Sequence, residues 1–190
     1  MSRNTFISDW FNCKLTCDRC QHIKAGGERC RNRVCFGTPL CWIHTKIVYG
    51  VRVRDSTLAD AGKGLFATRD FERGEWIIPY IGELINKTCL NDRYGDDTAP
   101  YASAFARRRY IDGACMWGTA TPANGLFRRD GRSRTVNAHN TVIENRNSGL
   151  WLRARRQISE GDEMFVWYGD DYLLEGAHQT RRSTTADTRP

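Results

Sequence analysis

Apolar residues in this chain gather into short runs separated by glycine-rich or charged turns. Val51-Arg52-Val53-Arg54 alternates apolar and basic side chains, the pattern of an edge strand with one face on a core. Leu65-Phe66-Ala67-Thr68 reads as a second strand, Glu72-Arg73-Gly74-Glu75 as a turn, and Trp76 to Ile81 as a third strand. Tyr110-Ile111-Asp112-Gly113 is a strand ending in a turn. Leu150-Trp151-Leu152-Arg153-Ala154 and Met164-Phe165-Val166-Trp167-Tyr168 are two more, rich in aromatic and branched residues and joined by the polar Ile158 to Glu163 segment. Asn86 to Tyr94 has the composition of a short helix, and Asp92 to Pro100 is polar and turn-prone. Met116 to Ser148, rich in Gly, Asn and Arg, is expected to be mostly loop. The stretch from Thr180 to Pro190 carries too little apolar surface to order itself. The fold class is therefore mostly β, and two stretches far apart in sequence, 55–85 and 137–172, must meet if they form one site.

A chain of 190 residues with 40% hydrophobic and 27% charged residues can bury a real core, and its length suits one domain with a small appendage. No apolar run approaches the ~20 residues that cross a bilayer, and the first residues lack the apolar centre of a secretory signal. The expectation is an intracellular protein with no membrane contact. Net charge is +7, with arginines clumped at Arg107-Arg108-Arg109, at Arg128, Arg129, Arg132 and Arg134, and at Arg153, Arg155 and Arg156. Such clumps suit anionic partners, nucleic acid or nucleosomes included, and equally suit a solvated basic face.

Six of the eight cysteines lie between Cys13 and Cys41, with His22 and His44 among them. In a reducing compartment that density favours metal over disulfides. The tightest spacing is Cys20-x9-Cys30-x10-Cys41-x2-His44: three thiolates and one imidazole fill the tetrahedral shell of a structural zinc and leave no open position for catalysis. Cys13, Cys17, His22 and Cys35 form a second possible set, so one or two zinc ions are open; spare cysteines also pack as small hydrophobes, the role expected of Cys89 and Cys115. A segment this short would draw most of its folding free energy from metal. It is either a structural plug or a grip on a partner through Arg29, Arg31 and Arg33.

Gly62-Lys63-Gly64 precedes a strand rather than a helix and lacks a third glycine, so it is not a dinucleotide fingerprint. Taken with Leu65-Phe66-Ala67, then Gly74-Glu75-Trp76-Ile77-Ile78-Pro79-Tyr80-Ile81-Gly82-Glu83, then Ile158-x-x-Gly161-Asp162-Glu163 leading into Tyr168-Gly169-Asp170-Asp171-Tyr172, it makes the chain resemble the SET-domain protein lysine methyltransferases from about Arg54 to Leu174. The resemblance implies a SET-type fold of several small sheets with a pseudoknotted C-terminal segment, over residues 51–175. Residues 1–50 would be the small N-terminal zinc module and 176–190 a disordered polar tail. It implies S-adenosylmethionine-dependent methylation of a lysine on a basic protein such as a histone tail or nucleosome, and hence a nuclear location. Where family members have an Asn-His pair this chain has none. The cofactor asparagine is either Asn124, with Gly125 in place of the histidine, or Asn137, with His139 displaced by one residue. No cysteine follows Cys115 to build a C-terminal zinc site.

By the same resemblance Tyr168 is the active-site tyrosine, Tyr80 lines the lysine channel and Tyr172 closes it. Tyrosines in apolar strands otherwise serve as core residues with a satisfied hydroxyl. Gly62 and Gly64 would let the cofactor approach the backbone, with Lys63 near its carboxylate, Leu65 beside it and Asn124 hydrogen-bonded to it. Trp151 and Trp167 either stack on adenine or sit in the core. Val166, two before Tyr168, has no hydroxyl to hold a water, which points to higher methylation rather than strict monomethylation. Glu83, Asp92, Asp96, Asp97, Asp170 and Asp171 are available to a basic substrate or to surface charge balance. A catalytically weak SET-fold binding module for nucleic acid or a protein partner is the alternative; the lost Asn-His pair favours it and the retained glycines and Tyr168 oppose it.

Overall fold

The computed structural model describes residues 17–35, 38–59, 61–95, 99–116, 118–125, 129–130, 134–135 and 139–167. In chain order the described elements are β1 (Asp18–Arg19), β2 (Arg33–Val34), α1 (Trp42–Tyr49), β3 (Val51–Asp55), β4 (Lys63–Ala67), β5 (Trp76–Tyr80), β6 (Glu83–Asn86), α2 (Lys87–Tyr94), β7 (Ala102–Ala106), β8 (Arg109–Asp112), β9 (Arg129–Asp130), β10 (Arg134–Thr135), β11 (Thr141–Arg146), β12 (Gly149–Ala154), β13 (Glu163–Met164) and β14 (Val166–Trp167). They form small sheets ordered β14-β11-β12-β5, β13-β4-β3 and β6-β8-β7, with the two-stranded pairs β1-β2 and β9-β10. The protein is mostly β, as its apolar pattern predicts.

Alternation explains the core. Along β12, Leu150, Leu152 and Ala154 are buried while Trp151 and Arg153 face outward. Leu65 and Ala67 of β4, Ile77, Ile78 and Tyr80 of β5, and Phe71, Ile158, Met164 and Val166 join them in one cluster. Asn86 caps α2 by accepting the Cys89 N–H at 2.8 Å. Gly50 ends α1 at a φ of 68°, a left-handed geometry that suits glycine.

Two expectations fail for identifiable reasons. Met164 to Tyr168 is not one strand, because the chain changes sheets at Phe165. Its N–H donates to Asn140 Oδ1 at 2.7 Å, and its carbonyl accepts the backbone N–H of Asn140 and Thr141. Glu163–Met164 thus pairs antiparallel with β4, and Val166–Trp167 pairs parallel with β11. Thr141 to Arg146, expected to be loop, is a strand hairpinned onto β12 through Asn147 and Ser148, whose φ values of 44° and 67° are those of a tight hairpin turn. The helix α1 and the strand β7 lie in stretches where no element is predicted; β7 reads Ala-Ser-Ala-Phe-Ala, too small in its side chains to give an apolar signal.

Candidate cofactor cleft and metal cluster

Three segments distant in sequence converge on the Glu163 carboxylate. Its Oε1 accepts from Ser56 Oγ at 2.7 Å and from Asn124 Nδ2 at 3.3 Å; its Oε2 accepts from the Thr57 N–H at 2.7 Å and from Thr57 Oγ1. The residue is only 6% exposed. A buried carboxylate is costly unless its lone pairs are filled, and here four donors fill them. Asn124 also donates to the Lys63 carbonyl at 2.9 Å, and its own carbonyl accepts the Val166 N–H at 2.9 Å. The Gly62-Lys63-Gly64 turn, the Asn124 loop and the β13–β14 segment are therefore stitched together at one place.

Each of the two glycines has a reason of its own within the fold. Gly62 has a φ of 69° with open space beside its Cα, so backbone conformation calls for glycine there. At Gly64 a Cβ would run into the Glu163 carboxylate, so the space is taken by the protein's own side chain. Lys63 pairs with Asp55 across the β3–β4 ladder at 2.6 Å, and Leu65 is fully buried in the core, leaving its backbone as the part that faces neighbours.

Tyr80 is buried among Ile77, Ile78 and Leu150, and its hydroxyl donates to the Tyr101 carbonyl at 2.8 Å. Tyr168, Tyr172 and Asn137 lie outside the described residues, as do Asp96, Asp97, Asp170, Asp171 and the 176–190 tail. Trp151 stands edge-on to Tyr49 with centroids 6.3 Å apart and lies under Arg146 at 4.8 Å, so its ring is covered by its own neighbours rather than open to adenine. Glu83 is tied to Arg93, which also holds the fully buried Asp112 at 2.7 Å; Asp112 accepts the Tyr94 hydroxyl at 2.9 Å as well. This network pins α2 to the β6–β8 pair.

Asn140 is the residue that sequence reasoning missed. Buried at 5% exposure, it donates to the Glu163 carbonyl at 2.8 Å and accepts from Phe165 N–H, holding both sides of the sheet change. Its neighbour His139 is 3% exposed; burial, with Arg155 and Arg156 nearby, brings its pKa down to about 4, so it is neutral at pH 7. The one sequence signal was their place next to the Thr141-Val142-Ile143 run, read as loop.

At the other end of the chain, Cys20, Cys30, Cys41 and His44 bring their donor atoms within 4.8 Å of one another. His44 Nδ1 lies 3.4 Å from Cys20 Sγ and 3.2 Å from Cys41 Sγ, close to the ~3.5 Å edge of a tetrahedral zinc shell with one sulfur and one nitrogen. The cysteines are buried, and hydrogen bonds reach their sulfurs: Cys41 N–H donates to Cys20 Sγ at 3.2 Å, and Asn32 Nδ2 to Cys41 Sγ at 3.4 Å. Burial raises the Cys41 thiol, but hydrogen bonds from the His44 backbone, Asn32, Cys20 and the His44 ring outweigh it and bring the pKa down to about 6. That is a thiolate poised for metal.

The second ligand set does not assemble. The β1–β2 register, Asp18 opposite Val34, sets Cys17 against Cys35, and the two form a disulfide. His22 stacks on the His44 ring at 3.8 Å instead of joining a second shell, and Cys13 lies outside the described residues. Cys89 is an exposed thiol and Cys115 is disulfide-bonded, so neither is the buried free thiol expected. Arg29 is no grip for a partner: its guanidinium holds the Cys20 and Arg19 carbonyls and Asp18, which leaves Arg31 and Arg33 exposed.

The family model of the SET domain matches residues 62–169. The chain is 33% identical to N-lysine methyltransferase KMT5A-A of Xenopus laevis over 135 residues, 68% of this chain and 36% of that protein. It is 27% identical to histone-lysine N-methyltransferase set-17 of Caenorhabditis elegans over 172 residues, 85% of this chain and 59% of that protein. The chain thus spans little more than a third of KMT5A-A and less than two thirds of set-17. Among solved structures, ctPRC2 in an autoinhibited conformation bound to S-adenosylmethionine superposes with a TM-score of 0.52 at 26% identity, over 66% of this chain and 16% of the other.

Proposed function

The chain belongs to the SET-domain family, and from that premise we propose that it is an S-adenosylmethionine-dependent protein lysine N-methyltransferase acting on a basic protein tail such as a histone, with one structural zinc in its N-terminal module. The observation that carries this is the convergence of the Gly62-Lys63-Gly64 turn, Asn124 and Glu163 within the matched region. The methyl donor supplies an electrophilic methyl on a sulfonium. The protein's part is alignment and a neutral amine. A free lysine has a pKa of ~10.4, so well under ~1% is neutral at pH 7, and a narrow apolar channel disfavours its charged form. Tyr80 belongs to the wall of that channel. Tyr168 directs a hydroxyl at the amine and Tyr172 closes the channel, in keeping with the motif they occupy.

Gly62, the backbone of Lys63 and Leu65, and Asn124 cradle the cofactor, with Gly64 keeping room for the Glu163 carboxylate that shapes the turn. Val166, fully buried and without a hydroxyl, supports di- or trimethylation. A histone substrate places the protein in the nucleus. Cys20, Cys30, Cys41 and His44 hold the zinc, which completes a closed shell and takes no part in chemistry.

The test is calorimetric titration of zinc-loaded protein with S-adenosylmethionine, followed by transfer of labelled methyl to core histones and mass spectrometry of the products. Micromolar binding, retained in Tyr168→Phe while transfer falls at least a hundredfold, supports the assignment. No binding by the parent overturns the enzyme and leaves a SET-fold binding module; addition of one methyl only, at saturating cofactor, overturns the higher-methylation inference.

A further inference from the structure

Of the two arginine clumps whose side chains the structure describes, the fold leaves one unengaged. Arg153 is held by Glu144 and the Gly74 carbonyl. Arg155 and Arg156 border the buried His139 and are engaged there. Arg107, Arg108 and Arg109 form the tip of the β7–β8 hairpin, all three exposed, and none makes an ion pair or side-chain hydrogen bond with a described residue. The hairpin turns at Arg107 and Arg108, and Arg108 sits at a φ of 56°, a left-handed position that asparagine or glycine fills at lower cost. A charged side chain is kept where the backbone would prefer another residue.

The sheet beneath is electrically polarised. At one end Glu83 lies opposite Asp112, and Arg93 pairs with both. At the other, three ladder positions away, Asn86 lies opposite Arg109, and Lys87 stands 5.8 Å from the Tyr110 ring. Four cations therefore share one end, while the strand carboxylates Glu83 and Asp112 lie at the other.

We propose that this tip docks on the phosphate backbone of duplex DNA. Guanidinium forks match phosphate oxygens in pairs. The tip itself carries no apolar anchor for the core of a protein interface: its exposed neighbours on β7 are Ala104 and Ala106, and the exposed Leu84 of β6 lies two ladder positions back from Arg109. It has no open aromatic ring on which unpaired bases could stack, because Tyr110 is half-buried and lies under Lys87. A two-stranded ribbon fits the major groove of B-form DNA and not the deep, narrow one of an RNA duplex. The inference goes beyond the methyltransferase assignment and does not rest on it.

The experiment is fluorescence anisotropy of a labelled random-sequence DNA duplex with the full zinc-loaded chain, from low to moderate salt. Each arginine–phosphate contact adds about 0.9 to the log–log salt slope. Arg107→Gln/Arg108→Asn/Arg109→Gln should lower that slope by about 2 to 3 and weaken binding at low salt roughly tenfold or more. Arg31→Gln/Arg33→Gln/Arg52→Gln, which removes the same charge from exposed sites elsewhere, should leave the slope within about one unit of the parent. Arg108→Gly alone, which also frees the turn, should shift the slope by about one without lowering the melting temperature, separating lost contact from lost fold. Equal losses in the two triple variants would reduce the tip to diffuse net charge. Unchanged binding by the tip triple overturns the proposal, as does tip-dependent binding of single-stranded DNA at least as tight as the duplex. Tip-dependent binding of polyglutamate without any of duplex would assign the tip to an acidic protein instead.

Discussion

The segment from Cys17 to Gly50 and the sheets from Val51 to Trp167 both gather distant pieces of chain, by opposite physics. The first buries little apolar surface beyond Cys20, Cys30, Leu40 and Cys41, and gathers four candidate metal donors within 4.8 Å of one another. The second buries a continuous apolar cluster and adds a buried carboxylate where its loops must be placed. Where apolar area is scarce, geometry around a metal replaces it; where area is ample, polar groups are free to set position rather than supply stability. The two regions should therefore fail under different insults.

Metal removal should have the largest effect. Structural zinc contributes on the order of 10 kcal/mol to a small module, so a chelator, or Cys30→Ser, should open residues 17–50 to trypsin at Lys24, Arg31 and Arg33 while the sheets keep their far-UV signal and cooperative melt. If the module stays protease-resistant after chelation and yields only when the Cys17–Cys35 disulfide is also reduced, the contrast between the regions is wrong, and a covalent link does the holding.

The converse insult is Glu163→Ala. It removes the acceptor shared by the half-buried Ser56 and Asn124 and the exposed Thr57, and should cost about 1 to 2 kcal/mol in a urea melt, leaving the module's protease resistance intact. Gly64→Ala should fail in the same way, because its Cβ enters the carboxylate's place. If Glu163→Ala melts like the parent, the carboxylate is not a placing device.

How far the sequence carries depends on which kind of force dominates. The cluster of Cys20, Cys30, Cys41 and His44 was readable because residue type and spacing are local, and the Gly62-Lys63-Gly64 turn was readable for the same reason. Strands β3, β5, β8 and β12 announced themselves by apolar runs. Glu163 could be read as part of a motif but not as the partner of Ser56, Thr57 and Asn124, because a contact across 107 residues leaves no periodic trace. Asn140 was hidden likewise: its value lies in where Phe165 changes sheets. The packing of Gly64 against Glu163 was not legible, since an empty side chain looks the same whatever fills the gap beside it. Cys17 was offered to a metal because pairing register, which sets it against Cys35, cannot be counted from spacing.

A pH titration separates the regions by a smaller margin. His139 is buried neutral with a folded pKa of about 4 against about 6.5 when unfolded. Below 6.5 the unfolded chain binds the proton that the native state refuses, so this contribution is complete above pH 6.5 and is lost as pH falls toward 4, at no more than about 1.4 kcal/mol per unit. The sheets should show this slope in stability between pH 6.5 and 5, before most carboxylates titrate, and His139→Gln should flatten it. A slope unchanged by that substitution would place the acid sensitivity elsewhere.

The smallest effect tests whether the two regions are independent at all. Tyr49, at the end of α1, packs against both the metal cluster and the sheet core, and its ring meets Trp151 of β12 edge-on at 6.3 Å. A double-mutant cycle with Tyr49→Ala and Trp151→Ala should return a coupling of about 1 kcal/mol, typical of an aromatic pair. The informative step is to repeat the cycle after chelation. If the metal holds α1 in place, the coupling should vanish with it, because the ring is then no longer presented to the sheet. A coupling that survives chelation would mean that α1 belongs energetically to the sheets, and the boundary between the regions would move from Gly50 back to Cys41.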